Sequence, residues 1–550
     1  MRRSLRKTGL AVAIVVCLGC GTQAEPGSPT HDGAATAGGM GGAGVTAGTT
    51  SNGASGAPAG GSNGANGGAN ASAAGGAGTV AGGASGGGRG GMSNAGRDDG
   101  AGGTSGANGA GAGGRGGGGA SGAPGSAGKT GAAGTSGTAG AAAGAAGSSG
   151  NDPCGPENPA VVPLPVIGAA TFDVTAYGAT GDGKTDDTSA LQAALDAAGS
   201  AGGGTVTIPK GTFLSGPIVL KSSTALELSS GAVLEMLPRA SYTSTSAFIT
   251  ANDAHDIAIV GSGTIEGQGQ DWWDAFAADS SITRPQEVSL SNSTRVAIEG
   301  IRLQNSPEEH IWVKGDTDVT VTGITISTLA VSGKNPPKNT DGVDIGANGV
   351  FFCNDDIACG DDNVVMEGSN IYVAYSNFGV GHGCSIGSIT EKGVSDVTVD
   401  HVTFDGTTSG IRLKSARDRG GLVERLSYTN LSMTNVENPV YITSYYPTLP
   451  TDPKADTAQA VTDTTPEWQD IVLSHVTATG STNAGILWGL PEAKIQNLTF
   501  DDVQLSAKTG MQIVHAEGVT FVNGSTVTPK SGAAVTTYDA DVTGITTTSF

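Results

Sequence analysis

Short runs of alternating apolar and polar residues recur from about Phe172 to the C-terminus. Thr205-Val206-Thr207-Ile208-Pro209 is an early one, followed by Ile257-Ala258-Ile259-Val260 and Val296-Ala297-Ile298-Glu299-Gly300-Ile301. Val319-Thr320-Val321-Thr322-Gly323-Ile324-Thr325-Ile326, Ile371-Tyr372-Val373-Ala374 and Val397-Thr398-Val399-Asp400 continue the series to Ile471-Val472-Leu473 and Leu498-Thr499-Phe500. A period of two, rich in Val, Ile and Thr and bounded by Gly, Asn and Asp, predicts β-strands. Several successive starts lie 20–30 residues apart, as from 296 to 319, 371 to 397 and 471 to 498, with wider gaps elsewhere, one of them between about 426 and 471. That repeat, without intervening helices, predicts an all-β parallel β-helix, in which each coil covers the apolar edge of the one before. A β-sandwich is the alternative, but its strands usually follow one another at roughly 8–12 residues through hairpin turns. One helical pattern stands out, Asp187-Thr188-Ser189-Ala190-Leu191-Gln192-Ala193-Ala194-Leu195-Asp196-Ala197-Ala198. Its apolar positions recur at three and four, Asp or Thr can cap its start, and Gly202-Gly203-Gly204 ends it. This short helix is expected to cap one end of the solenoid and cover its open strand edge.

The first 150 residues have a different texture. Residues 21–150 hold 49 of the 93 glycines, with Ala, Ser and Thr supplying most of the rest. Such a stretch has too few large apolar side chains to offset the entropy of ordering and is expected to be a disordered tether. Glycine does not fall at every third place, which excludes collagen. A coil of this length has a mean reach of about 60–70 Å. Ahead of it, Arg2, Arg3, Arg6 and Lys7 precede the apolar run Leu10–Leu18 and then Gly19-Cys20. The run is too short to span a membrane and reads as an export signal. The expected organisation is a signal over 1–20, a linker over 21–153 and one folded body over 154–550.

Charge narrows the function. Residues 151–550 carry 46 acidic and 20 basic side chains, a net charge of −26. A body this acidic repels nucleic acid and anionic lipid, so neither is an expected partner. An anionic substrate would need a local cluster of cations. Four cysteines remain after the signal: Cys154, Cys353, Cys359 and Cys384. They allow three full pairings, or none if they are buried thiols, and the sequence does not choose. Their spacing suits no standard zinc site.

Four polar clusters appear at coil spacing. Asn339-Thr340-Asp341-Gly342 comes first, and Gly360-Asp361-Asp362-Asn363 follows twenty residues later. Gly381-His382-Gly383 and Arg412-Leu413-Lys414 complete the set. Matching positions on successive coils lie about 4.8 Å apart. Three carboxylates, an imidazole and two cations are therefore expected to meet on one face. Each motif alone is ordinary turn or edge chemistry; their common spacing singles them out. Glycoside hydrolysis needs such a set, because one carboxyl must keep its proton while another is ionised. Crowding three aspartates pushes their titrations apart. Glycines flanking His382 allow backbone and sugar to approach closely.

Asn-Thr-Asp, Gly-Asp-Asp, Gly-His-Gly and Arg-x-Lys, in this order, resemble the polygalacturonases of glycoside hydrolase family 28. Softer matches are Ala176-Tyr177-Gly178-Ala179 with Gly181-Asp182-Gly183, Ile265-Glu266-Gly267-Gln268-Gly269 with Trp272-Trp273, Arg284-Pro285 and Asn305-Ser306-Pro307. The resemblance covers roughly residues 171–500. It implies a right-handed parallel β-helix that hydrolyses α-1,4 bonds between galacturonates with inversion, using no metal or organic cofactor. Asp361 is similar to the proton donor, Asp341 and Asp362 to the pair that activates water, and His382 to the histidine beside the donor. Asn339, Arg412 and Lys414 match substrate-binding positions, and Tyr445 or its neighbour Tyr446 matches a tyrosine that completes the site. The signal segment resembles that of a bacterial lipoprotein, which implies acylation at Cys20 and export to the cell envelope; with its solenoid ends capped, the body is expected to be a monomer. Asn363 and Glu367 stand where many members have Cys and Lys, and Cys384 follows Gly-His-Gly directly. A disulfide between Cys359 and Cys384 is therefore expected if the two face each other across adjacent coils. Alternatives are a calcium-dependent pectate lyase with Asp355, Asp356, Asp361 and Asp362 as ligands, a rhamnogalacturonan hydrolase, and a non-catalytic polysaccharide-binding protein.

Overall fold

The structure, a computed structural model, describes residues 152–550. The signal-like segment, Cys20 and the glycine-rich linker lie outside the described residues. The body is a parallel β-helix. Strand pairs between successive coils are parallel throughout, and they form three ladders that run the length of the solenoid. One ladder aligns Val343, Val364, Cys384, Ile411 and Val440 on successive rungs. A second stacks Ile257, Val296, Val319, Val350, Ile371, Val397, Leu426, Ile471 and Leu498. A third carries Ile357, Phe378 and Phe404.

The sequence pattern explains these rungs. In each run the inward residues are apolar and buried, and they rest on the like residue of the coil below, so the core is one continuous column. The phenyl rings of Phe352, Phe378 and Phe404 pack edge to face down that column, at 6.4 and 5.5 Å between centroids. The residue immediately before each rung of the second ladder takes a left-handed conformation. Asp256, Arg295, Asp318, Asn370, Asp396, Arg425, Asp470 and Asn497 all have φ between 52° and 58°. Asn and Asp tolerate this region best, which accounts for their recurrence before the apolar runs.

The expected helix forms as α1, Thr188–Ser200, and buries Leu191, Ala194, Leu195 and Ala198 against the first coils. Its start differs from expectation. Asp187 does not cap the helix with its side chain; the carboxylate accepts the backbone N–H groups of Thr180 and Gly181 at 2.8 and 3.1 Å. A second helix, α2 (Gln270–Ala278), was not legible in the pattern. Only nine residues long, it buries Trp272, Trp273 and Phe276, and two adjacent tryptophans give no clear helical period.

Cysteine pairing differs from expectation. Cys154 bonds to Cys353, tying the chain entering the body to the middle of the solenoid across 199 residues. Cys359 and Cys384 are free, buried thiols. Cys384 lies in register with Val364, so Cys359, in the turn ahead of that strand, does not face it. Cys359 instead directs its sulfur at the carbonyls of Asp361 and Asp362, at 3.4 and 3.3 Å. Peptide mapping without reduction is expected to recover Cys154 linked to Cys353, with Cys359 and Cys384 alkylated after unfolding. Replacing Cys154 and Cys353 together by serine is expected to lower stability by about 2–4 kcal/mol in a urea titration.

Candidate active site

The polar clusters occupy the turns that feed one ladder. Asp341, Asp362 and His382 each sit two residues before an aligned rung residue: Val343, Val364 and Cys384. The backbone is tied in the same way, since His382 N–H donates to the Asp361 carbonyl at 2.8 Å and Gly342 N–H to that of Asp362 at 2.8 Å. Gly383 adopts φ +85°, and a Cβ there would lie 2.1 Å from the Ser409 carbonyl oxygen. No other residue fits this turn, which explains one of the two glycines flanking His382. Asn363 is the brace: its Oδ1 accepts Gly383 N–H at 2.8 Å and its Nδ2 donates to the Ile357 carbonyl at 3.0 Å.

Asp362 is the electrostatic centre. Oδ1 accepts from Arg412 Nη1 at 2.7 Å and from Ser385 Oγ at 2.6 Å, and Oδ2 accepts from Lys414 Nζ at 3.0 Å. Asp362 is 2 % exposed and Lys414 5 %, so these charges interact with little screening by water. Burial by itself would raise the Asp362 carboxyl; Lys414, Arg412 and His382 overcome it and hold the group well below the ordinary range. Ser385 has no counterpart among the sequence expectations. It sits in register with Arg412, and only that register reveals it.

Asp361 touches a different partner. His382 Nδ1 lies 2.8 Å from its Oδ1, out of line for an ideal hydrogen bond, and Asn339 Nδ2 lies 3.4 Å from Oδ2. Burial pushes this carboxyl up, while the His382 contact and the Lys414 charge bring it below its ordinary value. Asp341 goes the other way. Burial, then the negative charges of Asp361 and Asp344, drive its carboxyl well above the carboxylate range. Of the three aspartates, Asp341 is therefore the one most inclined to hold a proton in the substrate-free site.

A cavity of about 120 Å³ opens over these groups, lined by Asn339, Asp341, Asp361, Asp362 and Lys414. The structure thus brings together the polar residues of all four clusters but not Tyr445, nor Asp355 and Asp356, the further ligands of the calcium alternative. The Tyr445 hydroxyl donates to Asp456 Oδ2 at 2.6 Å, and its ring lies 5.5 Å from Arg417. Tyr446 is the one beside the cations, its ring 5.7 Å from Arg412 and 5.0 Å from Lys414. Arg417 is committed to Asp456 and Glu492 and does not extend the cationic patch. Glu309 and Asp344, which also line the cavity, were not singled out in the sequence. Asp344 follows Asp341 by three residues and faces outward in register with Val365.

Single ligand atoms of Asp361, Asp362 and His382 lie within 4.8 Å of one another, close enough to consider a metal. Asp362, however, already spends its oxygens on a guanidinium, an ammonium and a hydroxyl, so two protein cations take the place a metal would fill.

Carboxyls pushed up and carboxyls held low in one cleft, beside cations, on the face of a parallel β-helix, fit a glycoside hydrolase of the acid/base kind. Comparison with known proteins gives the family. The model for glycosyl hydrolases family 28 matches residues 199–526, and the chain belongs to that family. It is 31% identical over 365 residues to an endo-polygalacturonase of Pectobacterium carotovorum subsp. carotovorum, covering 59% of this chain and 86% of that one. The crystal structure of polygalacturonase from Erwinia carotovora ssp. carotovora aligns with a TM-score of 0.54 at 29% identity, over 65% of this chain and 98% of that chain. A hyperthermoactive exopolygalacturonase from Thermotoga maritima shares the fold, with a TM-score of 0.54 at 20% identity over 70% of this chain and 94% of that one.

Removing the Asp362 carboxylate leaves two buried cations without their common partner. Asp362→Ala is expected to cost about 3–5 kcal/mol in urea unfolding. Adding Lys414→Met to that variant should recover part of the loss, whereas a single-variant cost under about 1 kcal/mol would contradict the charge balance described here.

Proposed function

We propose that this enzyme hydrolyses the α-1,4 bonds between galacturonate residues of pectic polysaccharide, by direct displacement with inversion. The observation that carries this reading is the placement of Arg412 and Lys414, both buried, beside the carboxyl cluster and the ring of Tyr446. A body with a net charge of −26 has few places to receive a polyanion, and this is one. Both cations contact the Asp362 carboxylate, which keeps two cationic donors together in the cleft where a sugar carboxylate can reach them. Family membership and the named relative favour the same substrate.

Asp361 is assigned as the proton donor, Asp341 and Asp362 as the pair that holds and activates water, and His382 as the partner of the donor. In the substrate-free site Asp341 holds a proton more readily than Asp361, so substrate must reverse that order. A sugar carboxylate on Lys414 cancels part of the charge that lowers Asp361, and expelling water from the cavity raises Asp361 further. Once Asp361 is protonated, its repulsion of Asp341 disappears and Asp341 can ionise. Binding thus sets the donor and the base together. Glycosidic oxygen takes the Asp361 proton as the bond to the anomeric carbon breaks; water attacks that carbon and loses its proton to Asp341.

The disulfide Cys154–Cys353 supports an exported enzyme, since such bonds persist in oxidising compartments. We read the basic and apolar start followed by Cys20 as the route of export and the point of lipid attachment.

The test incubates the protein with de-esterified polygalacturonate and excess chelator, following reducing ends and ultraviolet absorbance together. Reducing ends without absorbance are expected. Absorbance that rises only when calcium is restored would mean elimination instead. Asp361→Asn is expected to lose about 10²–10⁴ in kcat while still binding the polymer. Activity requires one proton on the Asp341–Asp361 pair and an ionised Asp362, so the rate should peak at mildly acidic pH. It falls at higher pH as the pair loses its proton, and at lower pH as the pair gains a second one, Asp362 being held lower still. A rate still climbing at about pH 9 would contradict the assignment. Lys414→Met should lower kcat/KM by about 10- to 150-fold and move both limbs of the profile upward.

A further inference from the structure

Arg284 stands behind the cleft and, at 2 % exposed, is too buried to touch a substrate. It lies four residues ahead of the rung residue Val288, as Pro307 and Asn339 lie four ahead of Ile311 and Val343. The three positions therefore stack on successive coils, and the arginine side chain reaches across two coil spacings, about 10 Å. Nη1 donates to the carbonyls of Pro307 and Lys338, at 2.9 and 2.6 Å. Nη2 donates to Glu308 Oε1 at 3.3 Å and to Asn339 Oδ1 at 3.1 Å. The guanidinium lies 4.1 Å from the centre of the Phe276 ring, so α2 forms its floor.

Asn339 lines the cavity in front of this guanidinium. A guanidinium has donors and no acceptor, so the amide atom that faces it must be oxygen. That fixes the other end of the amide, and Asn339 presents an N–H to Asp361 Oδ2, at 3.4 Å. With the amide turned over, two oxygens would face each other there. A donor aimed at a carboxyl favours its ionised form, and so favours release of a proton from it. Asp361 also faces His382, Asp362 and Lys414, and its charge is felt by Asp341, Asp344 and Cys359. The charge of Arg284 itself is met by Glu308 and acts on Glu309. Its route to Asp361 is the Asn339 amide.

We infer that Arg284 is a positioning residue for the proton donor. It locks the Asn339 amide so that the N–H stabilises the Asp361 carboxylate left when its proton has gone to the glycosidic oxygen. Asn339 then serves the chemical step and not binding alone. This rests on the galacturonan reading above, with Asp361 as donor, and adds the group behind the cleft that holds the donor's neighbour in place.

The test compares Arg284→Lys, Asn339→Gly and the double variant, each as the full chain, on de-esterified polygalacturonate across a pH series. Lysine keeps the charge but not the flat fork. Glycine removes the amide at a position whose φ is +55°, where it fits without strain. Each single variant should lower kcat by about tenfold and leave KM within about threefold, since Arg412 and Lys414 are untouched. The high-pH limb of the rate should move up in both, because the ionised form of Asp361 loses a donor. In the Asn339→Gly background, Arg284→Lys should lower kcat no further and move the limb no further. A purely structural arginine would lower kcat equally in both backgrounds and leave the limb in place. Should Arg284→Lys fail to fold, Asn339→Gly alone carries the test. A limb unmoved in Asn339→Gly, or losses that simply add in the double variant, would overturn the inference while leaving the galacturonan reading intact. Failure of the wild type to release reducing ends from any galacturonan would instead remove the reading beneath it.

Discussion

Everything in this protein follows from coils stacking in register. A parallel ladder fixes each residue to the one a coil away, at about 4.8 Å. The apolar residues Ile257 through Leu498 form one buried column because the same phase is kept for nine coils. The same phase puts Asp341, Asp362 and His382 on neighbouring rungs. A slip of one residue in any strand would turn apolar side chains outward and scatter these groups. The core and the chemistry are therefore specified by one constraint.

Within that frame the site is governed by charge balance. Arg412 and Lys414 are buried in an acidic body, and Asp362 is what makes their burial tolerable. Asp362 is held low by Lys414, Arg412 and His382, Asp361 by His382 and Lys414, and Asp341 is pushed up by burial and by their negative charge. In the proposed reaction the arrangement responds to the substrate, because Lys414, which helps hold Asp361 low, is also the proposed anchor for a sugar carboxylate. Binding and proton placement are then linked through Lys414, as any two equilibria that share a charge must be.

The parts visible in the sequence were those with a local signature. The strands showed their period of two, and α1 its spacing of three and four. The four polar clusters were visible because coil spacing is nearly constant, and they came with the right residues at the right turns. Features that depend on register between coils were not. Ser385 reveals itself only opposite Arg412, and Glu309 and Asp344 only when their coils are stacked. Tyr445 and Tyr446 are adjacent and differ by which face of the turn each takes, which spacing does not report. Cys359 and Cys384 looked paired by proximity to the motifs, while the actual bond joins Cys353 to Cys154, from a segment outside the repeat.

The proposed reaction is displacement at the anomeric carbon by water held between Asp341 and Asp362 while Asp361 protonates the leaving oxygen. The most direct measurement is the configuration of the newly formed reducing end, read by proton NMR in the first moments of polygalacturonate cleavage, before mutarotation. Direct displacement at an α-bond predicts that the β-anomer appears first. Initial release of the α-anomer would mean retention through a covalent intermediate and would contradict the roles assigned to all three aspartates.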